Sequence, residues 1–441
     1  MNGTPVGGSI GAITDLDGAP IRDLGFTYSQ ARTALTNVVG NGTPAQNKWA
    51  AIFGNGYNST SGIATLFALF VDQGQDGWQD GDFIKVSTGA GVIPTNPTGP
   101  QDPMAGIPNG LGQPTLIDSD LSGTVDLAYA GDIQGNLYRF EIGDPDPANW
   151  RAVRLFTATQ DGTLATRRPI TVPPFVLPHP TEDGFLVIFG SGSFITEEDG
   201  LSTDIESVYG IWDRFEENPA TADPQSRNTR LVEQTITNIV DETSEFGTLR
   251  IMSNNGVPYV PDVGTNAGVY GWVIDLDPVR PTTTQQNNPN PDLSGQAAPA
   301  PQFPGERAIR SIVQRGNTLI LTTVIPRDSN SCNRAPPGAL WFINAATGGD
   351  PGQPVIDLDN DGVIDNADLV TVNGQTFTAG ILFDSGSGSG SLVDPAILLG
   401  EGDSDFLIVN TSQDAAPRTI AIIPADSPKT GRLSWWELLD N

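Results

Sequence analysis

Glycine and proline interrupt this chain about once in every five residues, with 51 glycines and 36 prolines among 441 residues. Either residue in a helix interior lowers helix stability, so long helices are excluded. Short strands joined by many turns are the structure that this pattern favours. Apolar residues make up 37% of the chain, which is enough for a sizeable core, either in two or three ordinary domains or in one large repeat architecture.

A unit of two apolar runs recurs along the chain. The first run is rich in β-branched and aromatic residues, and the second alternates aromatic and aliphatic residues. Examples are Asp126–Gly131 with Gly135–Phe140, Phe185–Gly190 with Ser207–Trp212, and Thr318–Thr323 with Gly338–Ile343. Each pair is typical of two antiparallel strands joined by a loop. Because the second runs return about every 70 residues, an all-β propeller with long inter-strand loops is favoured over stacked sandwiches without radial symmetry.

Three segments depart from the strand pattern. Ser29–Val39 predicts a short helix, with Ser29 as its N-cap. Pro281–Pro304 is polar and proline-rich, and Gly386–Gly390 contains only glycine and serine. Both compositions predict flexible loops.

The charge balance is strongly acidic. The chain has 22 Lys and Arg against 52 Asp and Glu, a formal net charge of −30. Such a surface repels nucleic acid and anionic membranes and attracts divalent cations, although solubility in salty water would also explain it. We find no stretch of 18 apolar residues, so no membrane-spanning helix is expected. The N-terminus lacks the features of a signal peptide, so we expect a mature piece or a fragment.

Enzyme signatures are nearly absent. Cys332 and His179 are the sole cysteine and histidine, which argues against a zinc site. Any catalytic triad would have to use His179, which lies between two prolines. Gly7–Gly11 matches a nucleophile elbow by its letters alone. Among 52 acids, no carboxylate pair for a glycosidase can be singled out. We therefore expect a protein that is not an enzyme.

The strongest local signal is the acidic stretch Asp357–Asp368. Calcium takes about six to eight oxygens from a short loop, with ligands at positions 1, 3, 5, 7, 9 and 12 and glycine at position 6. Gly362 fills position 6 and Val363 offers its carbonyl at position 7. The carboxylates at the other positions are Asp357, Asp359, Asp361, Asp365 and Asp368. These residues predict a Ca²⁺ site; an acidic turn in a solvated loop is the alternative.

A second loop has the same skeleton with fewer charges. Its candidate ligands are Asp118, Asp120, Ser122, Thr124 and Asp126, with Gly123 at the turn. Since serine replaces a carboxylate at position 5, we expect weaker Ca²⁺ binding. Two other acidic stretches, Asp15–Gly18 and Asp72–Asp82, lack the spacing and are interpreted as plain turns.

An ordered series of motifs connects these loops to a known family. The motifs are Asp23–Ser29, Trp49–Ser59, Asp118–Phe140, Val187–Phe194, Val208–Asp213, Gly271–Leu276, Pro304–Arg307 and Leu433–Leu438. Together they resemble the C-terminal propeller domain of PilY-type type IV pilus proteins. The resemblance covers most of residues 1–441 and implies a modified, seven-bladed propeller, of which we expect at least one N-terminal blade to be missing before Gly11.

The resemblance also implies a function. Family members are bacterial proteins exported through the periplasm to the cell surface, where they act in pilus assembly, attachment and twitching motility. Their expected partners are minor pilins at the pilus tip and a host or surface ligand, and calcium is expected to regulate pilus extension and retraction. The family's calcium loop carries over onto Asp118–Asp126, and Asp357–Asp365 resembles a site of some members. No Arg-Gly-Asp triplet occurs, so integrin binding through it is not expected.

Two other functions stay open on the residues alone. One is a calcium-stabilised cell-surface propeller with no role in pili, similar to the repeats of integrin heads. The other is a propeller enzyme, such as a quinone-dependent dehydrogenase or a glycosidase, which the scarcity of histidine disfavours.

Overall fold

The chain is dominated by strands. The computed structural model describes residues 23–40, 45–73, 81–95, 98, 104–240, 248–276, 304–326, 337–383, 392, 395–398, 405–409 and 418–422. The segments predicted to be flexible, 281–303 and Gly386–Gly390, lie outside the described residues, as do Cys332 and the motif Leu433–Leu438. Within the described part, no helix is long and apolar enough to cross a membrane.

The strands are short, and one α-helix is described among them. The first twelve strands are β1 (Arg32–Val39), β2 (Asn47–Gly54), β3 (Thr65–Phe70), β4 (Phe83–Ser87), β5 (Thr115–Ile117), β6 (Leu127–Gly131), β7 (Asn136–Glu141), β8 (Arg151–Thr157), β9 (Phe175–Pro178), β10 (Phe185–Gly190), β11 (Ser207–Asp213) and β12 (Leu231–Gln234). The helix α1 (Ser226–Arg230) precedes β12.

The remaining strands follow in the second half. They are β13 (Ile236–Val240), β14 (Thr248–Met252), β15 (Gly271–Asp275), β16 (Val313–Arg315), β17 (Thr318–Thr322), β18 (Gly338–Asn344), β19 (Val370–Val372), β20 (Gln375–Phe377), β21 (Gly380–Phe383), β22 (Ala396–Leu398), β23 (Asp405–Val409) and β24 (Arg418–Ile422).

The chain divides into two compact units. The first comprises Met1–Glu233, Gly256–Leu276 and Arg307–Ile309, and the second comprises Gln234–Asn255, Asp277–Glu306 and Arg310–Asn441. The assignment of residues 1–441 to one propeller domain stays a prediction.

The sheets of the first unit follow the order expected of propeller blades. One four-stranded sheet has the order β1-β2-β3-β4 and another has β5-β6-β7-β8. Every pair in these two sheets is antiparallel, and each strand pairs with its neighbour along the chain. Four-stranded antiparallel meanders are the repeating element of β-propellers. A five-stranded sheet, β12-β15-β11-β10-β9, follows them.

The described residues of the second unit form three further sheets. Their orders are β13-β14-β21-β18-β17-β16, β19-β20 and β22-β23-β24. A core of apolar side chains from β14, β17, β18, β21, β23 and β24 packs in this unit.

The predicted two-run units are confirmed as strand pairs. Residues 126–131 and 135–140 contain the antiparallel strands β6 and β7, whose register pairs Tyr129 with Arg139. The runs at 185–190 and 207–212 are β10 and β11, and those at 318–323 and 338–343 are β17 and β18.

The sheet β5–β8 buries both of its faces. Ala128 and Ala130 of β6 pack in a core that also contains Ile52 of β2. The alternate residue Tyr129 packs in a second core with Phe189 of β10 and Tyr209 of β11. Because successive side chains of a strand point to opposite faces, two-sided burial explains why β6 is an uninterrupted apolar run.

The predicted helix at Ser29–Val39 is wrong. Residues 32–39 form β1, which pairs antiparallel with β2. The segment contains the β-branched residues Thr33, Thr36, Val38 and Val39, which favour strands. The Thr36 hydroxyl also donates a hydrogen bond to the Lys48 carbonyl of β2 at 2.9 Å. Pairing with β2 therefore outweighs the local helix signals.

Substitution of Phe156 tests how much the core that contains Tyr129, Phe189 and Tyr209 contributes to stability. Its side chain is fully buried, and its ring lies 5.1 Å from that of Tyr209 between centroids. Phe156→Ala should lower the free energy of unfolding by about 3–5 kcal/mol, since it leaves a cavity. Urea denaturation of Phe156→Ala and of the control Phe194→Ala, which removes a side chain that is 49% exposed, checks this. Equal losses in both variants would contradict the assignment of Phe156 to the core.

Candidate metal centres

The first acidic loop, Asp118–Asp126, is the connection of a β-hairpin. It joins β5 to β6, and the register pairs Ile117 directly with Leu127. Gly123 has φ +89° with open space around it, a backbone conformation that favours glycine. The rigid sheet therefore fixes both ends of the loop.

Backbone N–H groups gather the carboxylates of this loop. The Ser122 N–H donates to Asp118 Oδ1 and to Asp120 Oδ1, each at 3.0 Å. The Gly123 N–H donates to Asp118 Oδ2 at 2.8 Å, and the Ser119 N–H donates to Asp126 Oδ2 at 2.8 Å. One oxygen each of Asp118, Asp120 and Asp126 lies within 4.8 Å of the others. The structure thus brings together the three carboxylates that the spacing predicts.

The electrostatics of the first loop favour ionised carboxylates. Hydrogen bonds from the side chain and backbone of Ser122 lower the pKa of Asp120 below its ordinary value. Asp120 is also exposed. It is therefore charged and reachable by a cation from solvent.

Asn37 of β1 supports this loop, and sequence reasoning missed it. Its Nδ2 donates to Asp126 Oδ1 at 3.4 Å and to the Gly143 carbonyl at 2.9 Å. Its Oδ1 accepts a hydrogen bond of 2.8 Å from the Thr124 hydroxyl. The Thr124 and Ser122 hydroxyl oxygens are 2.8 Å apart. Asn37 lies 89 residues from Asp126 along the chain, so no local spacing could have indicated it.

The second acidic loop repeats the geometry of the first. The Asp361 N–H donates to Asp357 Oδ1 at 3.1 Å, and the Gly362 N–H donates to Asp357 Oδ2 at 3.0 Å. Gly362 has φ +85°. Oxygens of Asp357, Asp359 and Asp361 lie within 4.8 Å of one another. The residues at positions 5 and 6 thus hold the first carboxylate in both loops.

Asp365 and Asp368, which were predicted as ligands, lie outside this close trio. They form a capping box on the 3-10 turn Asn366–Asp368. Asp365 accepts from the Ala367 N–H at 2.7 Å, and Asp368 accepts from the Leu358 N–H at 2.6 Å. Asp368 is buried. Both side chains therefore hold the end of the loop through backbone hydrogen bonds. Val363, whose backbone carbonyl is the predicted ligand, has an exposed side chain.

Negative charge is more crowded in the second loop. Desolvation, followed by repulsion from Asp361, Asp368 and Asp357, raises the pKa of Asp359 above its ordinary value. A cation bound among these groups would relieve the repulsion. Within the described ranges, these two trios are the groups of three or more potential metal-ligating side chains that lie this close together.

His179 is a core residue of the first unit. Its Nδ1 accepts hydrogen bonds from the Thr181 and Glu182 N–H groups at 3.3 and 2.9 Å. Its ring packs edge-on against Tyr259 with centroids 4.3 Å apart. No described hydroxyl or carboxylate forms a hydrogen bond with its ring nitrogens. The geometry therefore offers no catalytic triad at this histidine.

The comparisons with known proteins identify the family. The family model described as the PilY1 beta-propeller domain matches residues 22–248. The chain belongs to this family. The propeller fold and the resemblance drawn from the motifs are thereby confirmed.

Curated relatives and a solved structure agree with this assignment. The chain is 29% identical over 388 residues to "Type IV pilus biogenesis factor PilY1" of Pseudomonas aeruginosa strain UCBPP-PA14; the match covers 80% of this chain and 29% of that protein. It is also 29% identical over 316 residues to a PilY1 homolog of Xylella fastidiosa strain Temecula1, covering 69% of this chain and 18% of the homolog. The chain therefore spans less than a third of the length of either relative.

The solved structure concerns the fold alone. It is the crystal structure of the Pseudomonas aeruginosa PilY1 C-terminal domain, with a TM-score of 0.63 and 24% identity. The match covers 92% of this chain and 74% of that domain. The metal assignments at both loops stay predictions.

His179 predicts a pH dependence of stability. Burial lowers its pKa from 6.5 to about 4. The unfolded chain therefore binds a proton more readily between pH 6.5 and 4, so this contribution to stability is complete above pH 6.5 and is lost as the pH falls toward 4. His179→Gln should reduce the difference in urea midpoint between pH 7 and pH 5. An unchanged difference would contradict a buried, neutral His179.

Proposed function

We propose that this chain is the calcium-binding propeller region of a type IV pilus biogenesis factor that carries out no catalysis. Membership of the PilY1 β-propeller family is the observation that carries the proposal. The curated relatives named as type IV pilus biogenesis factors support it. In this function the protein is exported through the periplasm, is displayed at the bacterial cell surface with the pilus, and contacts minor pilins and a host or surface ligand.

Calcium acts in this proposal by neutralising carboxylates that repel one another. In the first loop, the trio of Asp118, Asp120 and Asp126 lies between two strands that pair in one sheet. Ca²⁺ bound there would tie the loop to that sheet and restrict its motion. Calcium occupancy would then regulate pilus assembly, extension and retraction, and with them surface attachment and twitching motility.

The second loop is expected to bind Ca²⁺ more tightly than the first. Position 5 carries a carboxylate in the second loop, Asp361, and a hydroxyl in the first, Ser122. Affinity for Ca²⁺ rises with the number of charged ligands. Repulsion of Asp359 by Asp361, Asp368 and Asp357, which is one of the causes that raise its pKa, supports the same order, because a crowded negative site gains more from a divalent cation.

Isosteric substitutions test the two sites separately. Calorimetric titration of the purified chain should give two Ca²⁺ sites, and Asp120→Asn and Asp359→Asn should each weaken one of them by about tenfold or more, since each removes a charged ligand. Asp223→Asn is the matched control: its carboxylate also accepts a backbone N–H from two residues ahead, at 3.0 Å, but belongs to neither trio. Unchanged Ca²⁺ affinity in either loop variant would show that the substituted loop is not a Ca²⁺ site.

Asn37 tests whether the partner from β1 tunes the first site. Asn37→Ala removes the hydrogen bonds to Asp126 and Thr124, so the first loop should lose about 10- to 100-fold in Ca²⁺ affinity, the usual effect of losing such a supporting group. The second site is the internal control and should keep its affinity in the same titration. Equal weakening of both sites would indicate a general loss of structure instead.

A genetic experiment tests the pilus role. Deletion of the gene should abolish or reduce surface pili, and the full-length gene should restore them. The full-length double variant Asp120→Asn/Asp359→Asn should restore pili whose retraction no longer responds to calcium. Normal pili after deletion would overturn the proposal and leave a calcium-stabilised surface propeller with no pilus role.

A further inference from the structure

A cavity that neither metal loop lines lies in the second unit. It has a volume of about 690 Å³, within the range of pockets that bind small ligands. Its walls come from four places in the sequence: the ends of β13 and β14, the loop Ser253–Asn255, the turn at Asp350 and Gly352, and the tip of the β19–β20 hairpin.

The hairpin wall has a defined shape. Asn373 and Gly374 connect β19 to β20, and both have positive φ, 51° and 78°. Two such residues form the type I′ turn that tight hairpins favour. Gln375, Thr376 and Phe377 of β20 line the cavity beside this turn.

The wall formed by Ser253–Asn255 is held by a buried glutamine. Gln234 Oε1 accepts from the Ser253 hydroxyl at 2.7 Å and from the Asn255 N–H at 2.9 Å. Its Nε2 donates to the Asn255 carbonyl at 2.7 Å and to the Thr347 carbonyl at 2.9 Å. This network fixes the loop Ser253–Asn255 before any ligand arrives, which lowers the entropic cost of binding.

Asp350 connects its own turn to Thr378, the residue that follows β20. Its carboxylate accepts from the Gly352 N–H at 2.6 Å and from the Thr378 N–H at 2.7 Å. Asp350 is buried. Both of its carboxylate oxygens therefore accept backbone hydrogen bonds, and it is the one ionisable side chain among the described lining residues.

The remaining polar groups of the lining are free to bind. Within the described part of the chain, the side chains of Thr237, Asn254, Gln375 and Thr376 line the cavity, are exposed, and form no hydrogen bond to protein. They offer two amides and two hydroxyls, each of which can donate and accept. Met252 and Phe377 add apolar surface beside them.

We propose that this cavity is a binding site for a neutral saccharide. A sugar presents many hydroxyls that match amide and hydroxyl partners, and its apolar C–H face can pack on Met252 and Phe377. The described lining residues include no lysine, arginine or histidine, and the chain carries a net charge of −30, so anionic sugars are disfavoured. This proposal goes beyond the pilus role and does not depend on calcium.

Binding to an array of immobilised oligosaccharides tests the site. The biotinylated chain, tetramerised on labelled streptavidin to raise avidity, is applied to neutral, sialylated and sulfated oligosaccharides at equal density. We expect binding to a subset of neutral oligosaccharides and none to the anionic ones. Thr376→Trp, which fills the cavity from an exposed strand position, should reduce that binding by about tenfold or more, and Asn254→Ala by about fivefold, the loss of one hydrogen bond.

Matched controls separate the site from the fold. Thr33→Trp places the same bulk at an exposed threonine of β1, outside the cavity, and should bind like the parent chain. The circular dichroism spectrum and melting temperature of each variant report on folding. The proposal is overturned if no neutral oligosaccharide binds, if anionic ones bind better, or if folded Thr376→Trp binds as well as Thr33→Trp. Because the titrations of the acidic loops are independent, these outcomes leave the calcium proposal untouched.

Discussion

Two-sided burial of the central strands is the constraint on which the rest of this structure depends. Every residue of β6, β11 and β15 is buried, so these strands have no face to present to solvent. The interior positions of such a strand must be apolar, and polar residues such as Ser207, Asp213 and Asp275 stand only at the strand ends. A glycine is required wherever a neighbour approaches too closely. Gly210 of β11 is such a place, because a Cβ there would lie 2.3 Å from the Trp272 ring.

Buried charges in these sheets are paired. Arg139 of β7 is fully buried and its Nη1 donates to Asp213 Oδ1 of β11 at 2.6 Å; Asp213 also accepts from the Tyr129 hydroxyl at 2.9 Å. In the second unit, Arg250 and Glu306 are both fully buried and 2.6 Å apart. An unpaired charge in such a position destabilises a fold by several kcal/mol. The acidic trios, in contrast, lie in loops, where a cation can reach them.

The strands and the acidic trios could be predicted from sequence because their signals are local. Runs of β-branched and aromatic residues identified β6, β7, β10 and β11, and the spacing of Asp118, Asp120 and Asp126 anticipated their convergence. β1 was missed because its pairing with β2 outweighs local propensity. Neither the support from Asn37 nor the saccharide cavity was predictable, since each joins residues that are far apart in the sequence.

We propose that calcium holds the acidic loops in their folded geometry. This claim is tested most directly by the melting temperature of the purified chain in Ca²⁺ and in chelator, beside the double variant Asp120→Asn/Asp359→Asn. A ligand that binds the folded state raises its melting temperature, so the parent chain should melt at a higher temperature in Ca²⁺ and the double variant should show little or no rise. Equal melting temperatures of the parent chain in Ca²⁺ and in chelator would contradict the claim and reduce both loops to solvated acidic turns.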